Sequence, residues 1–232
     1  MKNQGYKRYH FEEIQSTNDY AKTLLDKGEN AIILASKQWG GRGTKGRSFS
    51  SNEGGVYVTK LDFYQNFPAK KAFEIMAKTA TAVCKTLEDY SLSPCIKWPN
   101  DIYVSDKKIC GILIENAFRG KEISHSIVGV GLNVNNQLES ELSDIAVTMQ
   151  QLLNIPLSPA LVAEKLITYL QADFCMQEYL DRIGYLNKKI TLLLGEERIS
   201  ATCISVDEEG GLTVEIDGEK RRVTTAEVSL RI

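Results

Sequence analysis

The sequence predicts an α+β fold, in which a mixed central sheet with helices is followed by a small all-β unit. Up to about residue 186, apolar runs of strand length alternate with longer stretches of helical spacing. Beyond that point only short strands separated by glycine-rich turns remain. With 232 residues the chain is long enough for both parts. We therefore predict a main domain over residues 1–186 and a small β domain over residues 187–232.

The composition is that of an ordinary globular protein, with 43% apolar and 25% charged residues. The net charge of −2 argues against nucleic acid as the main partner, although it leaves a local basic patch open. The first residues have no apolar signal-peptide core, and no apolar run approaches about 18 residues. We therefore expect neither export nor a membrane span.

The cysteines and histidines predict a cytoplasmic protein without a metal centre of its own. The five cysteines are scattered and form no Cys-x-x-Cys pair, which is typical of reduced, buried thiols. Two histidines are too few for a histidine-based metal site. The cysteines are Cys84, Cys95, Cys110, Cys175 and Cys203.

The first elements are a short strand over Tyr6–Ile14 and a helix that begins after Ser16. Ser16 is a typical N-cap residue, and we expect Gly28 to end the helix. The run Ser16-Thr17-Asn18 places hydroxyl and amide groups at the helix start. From these residues alone, helix capping is the favoured explanation of the run, and ligand binding is the alternative.

A buried strand over Ala31–Lys37 leads into a glycine-rich loop that spans residues 38–47. Its glycines let the backbone approach an anion closely, and Arg42 and Arg47 add positive charge. The spacing is one residue short of a phosphate-binding P-loop, and the next element, Val56–Leu61, is a strand where a P-loop requires a helix. A solvated basic loop remains the alternative to an anion site. A long helix with a core-facing stripe follows over Ala69–Tyr90.

The segment Lys97–Asp101 leads into a hairpin formed by Ile102–Val104 and Lys108–Glu115. Strand alternation predicts one shared face for Lys108, Cys110, Ile112 and Ile114. An ammonium group at the head of an apolar face requires an anion nearby, unless Lys108 extends its charge into solvent at the hairpin tip. The sequence leaves both interpretations open.

The strand predicted over Ser124–Val134 contains Gly129, Gly131 and Asn133 near its end. Glycines inside a strand mark either a close approach of a ligand or a structural bulge, and both remain open here.

The remaining helices are a short piece over Thr148–Leu153 and a longer helix that Ser158 and Pro159 begin. We expect the longer helix to run to about Tyr185. The small β domain has five predicted strands: Lys189–Leu194, Ile199–Val206, Leu212–Ile216, Lys220–Thr224 and Val228–Ile232.

The segment Lys97-Trp98-Pro99-Asn100-Asp101, followed through a hairpin by Lys108 and Gly111, closely resembles the signature of biotin–protein ligases. The resemblance extends from about Tyr9 to Ile232 and includes the Gly-Arg-Gly-x-x-Gly-Arg loop and the Gly-x-Gly-x-Asn strand. It implies a class II synthetase-like catalytic domain followed by an SH3-like β-barrel.

The resemblance also implies roles for individual residues. The implied catalytic residues are Lys108, Arg42 and Asp101. The implied biotin-binding residues are Ser16, Thr17, Asn18, Gln38, Gly41, Arg42, Gly43, Thr44, Lys108, Gly111, Gly129 and Gly131. The implied ATP-binding residues are Arg42, Arg47, Asn100, Lys108 and Asn133.

The implied reaction has two steps, in which biotin and ATP form biotinyl-5′-AMP and a lysine of a biotin carboxyl carrier domain then takes the biotinyl group. Lys108 would touch the biotin carboxylate and the α-phosphate, and Mg²⁺ would arrive with ATP. The short stretch before Tyr9 leads us to expect no winged helix-turn-helix and no sequence-specific DNA binding. A homodimer remains open.

Thr44 departs from the family pattern, because many members carry a second loop arginine at this place. Two rival functions also remain. One is a lipoate- or octanoate-type acyltransferase with Cys110 as its nucleophile. The other is a non-catalytic biotin sensor.

Overall fold

The computed structural model describes residues 5–194, 197–224 and 229–231, in which two β-sheets and five α-helices are formed. Among these helices, none has the length and apolar character needed to cross a lipid bilayer.

The main sheet is mixed, as predicted. Its strands are β1 (Lys7–Ile14), β2 (Ala31–Gln38), β3 (Val56–Pro68), β4 (Cys95–Lys97), β5 (Asp101–Val104), β6 (Lys107–Arg119) and β7 (Glu122–Leu132). They lie in the order β1-β2-β3-β7-β6-β5-β4, in which β1 pairs with β2 in parallel and the other neighbours are antiparallel.

Helices cover the two faces of this sheet unequally. The helices are α1 (Thr17–Lys22), α2 (Ala72–Glu88), α3 (Met149–Leu153), α4 (Pro159–Gln171) and α5 (Met176–Leu180). α2 and α4 pack on one face, where they bury the largest apolar cluster. On the other face α1 packs mainly against β2, β3 and β7, and Ala21 and the following Leu24 pack against Ile33 and Leu61. This leaves the face of β5 and β6 open beside α1.

Two predicted helix ends are wrong. α1 ends at Lys22, because the Thr23 hydroxyl donates to the Tyr20 carbonyl (2.7 Å) at its C-cap. Gly28, with a φ of 62°, ends a separate 3-10 helix instead. The helix expected to reach Tyr185 ends at Gln171, where the backbone of Ala172 becomes extended, and α5 is a separate element.

The predicted shared face of the hairpin strand is also wrong. Tyr103 pairs with Lys108 but Ile102 pairs with Cys110, so Ile109 is an extra residue that forms a β-bulge. The bulge turns Lys108 onto the same face as Gly111 and Asp101. Cys110 and Ile112 lie in the core beneath the opposite face. The turn before this strand is tight, with Ser105 and Asp106 both at positive φ (49° and 61°).

The second sheet lies where the small β domain was predicted. Its strands are β8 (Lys189–Leu194), β9 (Glu197–Val206), β10 (Leu212–Ile216), β11 (Glu219–Val223) and β12 (Ser229–Arg231). They form one antiparallel sheet in the order β11-β10-β9-β8-β12, which fits a small SH3-like domain. Val228 and Ile232, the predicted ends of the last strand, lie outside the described residues.

The two sheets share one apolar cluster and direct hydrogen bonds. The Trp98 indole donates to the Gly210 carbonyl (3.0 Å), and the backbone amide of Trp98 donates to the Tyr185 hydroxyl (2.5 Å). Trp98 therefore ties the loop between β4 and β5 to the small sheet. A boundary at residues 186 and 187 stays a prediction.

Candidate functional site

A pocket of about 370 Å³ occupies the open face of the main sheet, between α1, the glycine-rich loop and strands β5 to β7. Its walls contain nearly all of the residues predicted to form the site. These are Ser16, Thr17, Asn18, Gln38, Arg42, Gly43, Thr44, Arg47, Asn100, Asp101, Lys108, Gly111, Gly129, Gly131 and Asn133.

Gly41 is the predicted residue that the lining does not include. A β-carbon at this position would lie 2.4 Å from the Phe49 carbonyl oxygen and 2.5 Å from the Ser51 hydroxyl. Glycine is therefore required for the close packing of the loop on itself, behind the pocket wall.

The helix start supplies a buried polar wall, because Ser16, Thr17 and Asn18 are only 3–5% exposed. Ser16 caps the helix by accepting from the Asp19 amide (3.4 Å). The Thr17 amide donates to Gln38 Oε1 (2.7 Å), and Gln38 Nε2 donates to the Ser51 hydroxyl (3.0 Å). Capping and a place in the pocket wall thus coexist in this run.

The glycine-rich loop places Arg42 beside two carboxylates. Arg42 Nη2 lies 2.6 Å from Asp19 Oδ1 and 3.4 Å from Glu115 Oε2. Lys22 also contacts Glu115 (2.9 Å). Burial alone would raise the pKa of Glu115, but hydrogen bonds from Lys22 and Asn18, together with the Arg42 charge, lower it below its ordinary value. Glu115 is therefore ionised at neutral pH and holds Arg42.

Arg47 is held by its own loop. Its Nη2 donates to the Thr44 hydroxyl (2.9 Å) and its Nε donates to the Thr44 carbonyl (3.2 Å). The side chain of Arg47 is exposed, and both residues line the pocket.

Lys108 lies in the pocket as an ion pair with Asp101, with 2.7 Å between Nζ and Oδ1. Their side chains are 29% and 19% exposed, so the pair is partly removed from water. Next to it, Asn100 Nδ2 donates to the Ile112 carbonyl (2.9 Å). This leaves the Oδ1 atom of Asn100 to face a ligand.

Asn133 is fixed in the same way from the other side of the pocket. Its Oδ1 accepts from Asn136 Nδ2 (3.1 Å), so its own amide nitrogen is left to donate toward the pocket.

The three strand glycines make room for side chains of the chain itself. A β-carbon on Gly131 or Gly111 would lie 2.4 Å or 3.0 Å from the Phe49 ring, which covers this cross-strand pair. A β-carbon on Gly129 would lie 2.3 Å from Asn18 Oδ1. β7 has regular pairing at both of its glycines, so the bulge alternative is excluded there.

Cys110, the rival nucleophile, does not reach the pocket. It is fully buried in the core on the far side of β6, and burial raises the pKa of its thiol well above the ordinary value. A thiol in this position is neither ionised nor accessible to a substrate.

Several residues that shape the site were not predicted. Asp19 and Glu115 hold Arg42, Phe49 covers two glycines, and the hydroxyl of Thr59 contacts Thr17 and Asn18. A segment at residues 138–146 closes one side of the pocket. The isolated Phe49 in a polar loop and the Glu115 in an apolar strand were the available sequence signals.

A metal site built from protein ligands is a separate question. Within the described ranges, no group of three or more His, Cys, Asp or Glu side chains is close enough together to hold a metal ion.

Comparison with known families gives a direct match. The model of the Biotin/lipoate A/B protein ligase family matches residues 10–133, which are 124 of the 232 residues. This matched range includes every predicted site residue.

Similar proteins extend the match to nearly the whole chain. The bifunctional ligase/repressor BirA of Bacillus subtilis is 27% identical over 240 residues, which cover 96% of this chain and 73% of that protein. The biotin–[acetyl-CoA-carboxylase] ligase of Paracoccus denitrificans is 31% identical over 109 residues, 45% of each protein. The structure of a biotin protein ligase from Aquifex aeolicus in complex with biotin and ATP has a TM-score of 0.80 and 25% identity, and covers 97% of this chain and 98% of that chain.

Proposed function

The chain belongs to the Biotin/lipoate A/B protein ligase family, and from this membership and its pocket we propose that it is a biotin–protein ligase. It would attach biotin, at the expense of ATP, to a lysine of a biotin carboxyl carrier domain through biotinyl-5′-AMP. The observation that carries the proposal is the position of Lys108. The bulge at Ile109 directs its ammonium group into a pocket that also holds Arg42 and the polar wall of α1.

Two parts of the pocket suit the two substrates. The neutral donors and acceptors of Thr17, Asn18 and Gln38 suit the uncharged ureido group of biotin. The cations Arg42, Arg47 and Lys108 lie toward the loop and β6, where they suit the phosphates of ATP. Asn100 and Asn133 would orient the phosphates or the ribose through the atoms that face the pocket.

In the first step, an oxygen of the biotin carboxylate forms a bond to the α-phosphorus, and the bond to the bridging oxygen of pyrophosphate breaks. Two anions must approach each other, so fixed positive charge is needed at the reacting atoms. Lys108 would supply it between the carboxylate and the α-phosphate. Arg42 would leave Asp19 and Glu115 to bind the phosphate.

In the second step, the amine of the carrier lysine attacks the acyl carbon and AMP leaves with the electron pair of the C–O bond. The amine must lose a proton before or during attack. Asp101 Oδ1 is bound to Lys108, so its second oxygen is the acceptor that would orient the incoming amine. The carrier would then approach over the β5–β6 side of the pocket.

Mg²⁺ fits this scheme as a companion of the ATP phosphates. The Oδ1 atom of Asn100 and a carboxylate oxygen of Asp101 lie on this side of the pocket and would orient the ion. The ion would neutralise the leaving pyrophosphate.

We place the reaction in the cytoplasm and assign no DNA-binding role to these residues. All five cysteines are unpaired thiols, which suits a reducing compartment. The net charge of −2 gives the chain no overall basic excess that would favour DNA binding. A salt-sensitive, sequence-selective gel shift at nanomolar protein would contradict the second assignment.

The decisive experiment is isotope exchange between pyrophosphate and ATP, measured with and without biotin. A ligase exchanges only when biotin is present, because the exchange reverses adenylate formation. A biotin sensor shows no exchange under either condition. Cys110→Ala separates the acyltransferase, which would lose its nucleophile, from the ligase, which should keep its exchange rate.

A further inference from the structure

A buried threonine lies directly beneath the polar wall of α1. Thr59 is on β3, in the middle of the main sheet, and is 0% exposed. Its hydroxyl oxygen lies 2.7 Å from Thr17 Oγ1 and 2.6 Å from Asn18 Oδ1. The strand opposite carries Gly129, and the absence of a side chain there leaves room for Asn18 to reach Thr59.

The number of available protons determines the direction of these hydrogen bonds. Asn18 Nδ2 donates to Glu115 Oε2 (3.1 Å), so Oδ1 of Asn18 must accept. The single proton of Thr59 is therefore needed for Asn18. The Thr17 hydroxyl lies within donating distance of both Thr59 Oγ1 (2.7 Å) and Gln38 Oε1 (3.0 Å). Because Gln38 Oε1 also accepts from the Thr17 amide (2.7 Å), the Thr17 proton can serve the shorter contact between the two hydroxyls.

We propose that Thr59 is a positioning residue that sets which hydrogen-bonding groups Thr17 and Asn18 present to the ligand. An Asn side chain has the same shape in both amide orientations, so only its partners distinguish them. Thr59 and Glu115 together keep the amide nitrogen of Asn18 as the donor on the pocket side. This inference deepens the proposed ligase function and rests on it.

The fixed polarity selects for an uncharged head group with an acceptor oxygen, such as a cyclic urea. Without the Thr59 hydroxyl, Asn18 Oδ1 would be buried without a donor, and the amide could turn to present its oxygen. The site would then bind biotin less tightly and lose part of its preference for a carbonyl over an imine. 2-Iminobiotin, which carries an N–H group in place of the ureido oxygen, is the probe for this preference.

The experiment compares Thr59→Val, which keeps the shape, with Thr59→Ser, which keeps the hydroxyl. Exchange kinetics are measured with biotin and with 2-iminobiotin. Leaving a buried acceptor without its donor weakens binding by roughly 5–150-fold, so we expect Thr59→Val to raise the KM for biotin by about 10-fold. The KM for ATP and kcat should change less than twofold, because the reacting atoms lie at Lys108. Thr86→Val is the matched control, since Thr86 is equally buried but donates to the Ala82 carbonyl (2.8 Å) within α2.

The inference is supported if Thr59→Val raises the KM for biotin more than that for 2-iminobiotin while Thr59→Ser restores the wild-type values. Equal changes for both ligands, or a change that Thr86→Val reproduces, would overturn it in favour of a purely structural role. If Thr59→Val does not fold, failure of Thr59→Ser to keep the biotin preference overturns it. Wild-type protein without biotin-dependent exchange would instead refute the ligase function itself.

Discussion

The two sides of the pocket hold their functional groups by different means. On the strand side, Asp101, Lys108 and the glycines project from paired strands, and the backbone register sets their positions. On the loop side, which comprises residues 39–50, Arg42 is held by side-chain contacts with Asp19 and Glu115, and Arg47 by a contact with Thr44 of the loop itself. The strand side is therefore preformed, whereas the loop side must exchange contacts when an anion binds.

This difference has an energetic basis. The backbone at Lys108 could shift only if β6 lost its bulge and its pairing with β5, so the direction in which the side chain leaves the strand is fixed. Moving Arg42 requires only the loss of exposed ion pairs, each of which contributes about 0–1 kcal/mol. We infer that the strand side determines the rate of the chemical step, and that the loop side adjusts how long nucleotide and adenylate stay bound. Substitutions on the two sides should therefore differ in size and in the kinetic constant they change.

The largest effect is expected for Lys108→Ala. Removing a charge aimed at the reacting phosphate should reduce biotin-dependent exchange by roughly 10²–10³-fold, by analogy with the loss of an oxyanion donor. Lys107→Ala is the matched control. The ammonium group of Lys107, the neighbouring residue, donates to the Ser143 carbonyl (2.8 Å), and both residues lie outside the pocket lining. A folded Lys108→Ala variant with near wild-type exchange would remove Lys108 from the reaction.

The next largest effect is expected for Gly129→Ala. Its β-carbon would displace Asn18, which is bound on both sides by Thr59 and Glu115. Overpacking of this kind costs about 1–3 kcal/mol, so the KM for biotin should rise about 5–150-fold. Gly131→Ala displaces only the Phe49 ring, which the loop can move. This substitution should raise the KM for biotin less than about fivefold. Equal effects of the two substitutions would show that α1 and the loop yield equally to an added β-carbon.

How far the sequence could predict this site also differs between its two sides. The motif predicted that Lys108 lies in the site together with Asp101 and Gly111, and all three residues line the pocket. The face of β6 on which Lys108 lies was not predicted, because one extra residue in a strand leaves no mark in the composition or spacing of β6. A strict alternation from Lys108 to Ile114 therefore gave the wrong face.

On the loop side, sequence spacing predicted the cations but not their partners. Asp19 and Glu115 are 23 and 73 residues from Arg42, and only the packing of α1 beside β6 brings them together. Likewise, the strand glycines predicted a close approach, but the groups that approach in this structure are Asn18 and Phe49. Such long-range contacts follow from tertiary packing, which local patterns do not encode.

A smaller effect is expected for Thr44→Arg, which restores the arginine that many family members carry. Thr44 lines the pocket and its hydroxyl holds Arg47 (2.9 Å). The new guanidinium would gain a phosphate contact but release Arg47, so we expect adenylate dissociation to slow by only about 3–10-fold. Dissociation of preformed biotinyl-5′-AMP without carrier domain measures this, with Thr44→Gln as the uncharged control. An unchanged or faster rate would show that Thr44 does not limit adenylate retention.

The smallest effect is expected for Asp19→Asn, which tests whether the Asp19 carboxylate competes with a bound phosphate for Arg42. Arg42 Nη2 lies 2.6 Å from Asp19 Oδ1, in a pair whose side chains are 42% and 36% exposed. A bound phosphate must replace this contact, so removing the carboxylate charge should tighten the binding of a non-hydrolysable ATP analogue. The gain should be about two- to fivefold, because exposed pairs contribute about 0–1 kcal/mol.

Titration calorimetry at two salt concentrations measures this gain, which should shrink at high salt because exposed charges are screened. Asp26→Asn is the matched control, since Asp26 is an exposed carboxylate on the neighbouring 3-10 helix. An unchanged affinity would mean that the Asp19 pair contributes nothing to the ligand-free state. A weaker affinity would reverse its role, because Asp19 would then orient Arg42 for the phosphate, and the loop side would be preformed like the strand side.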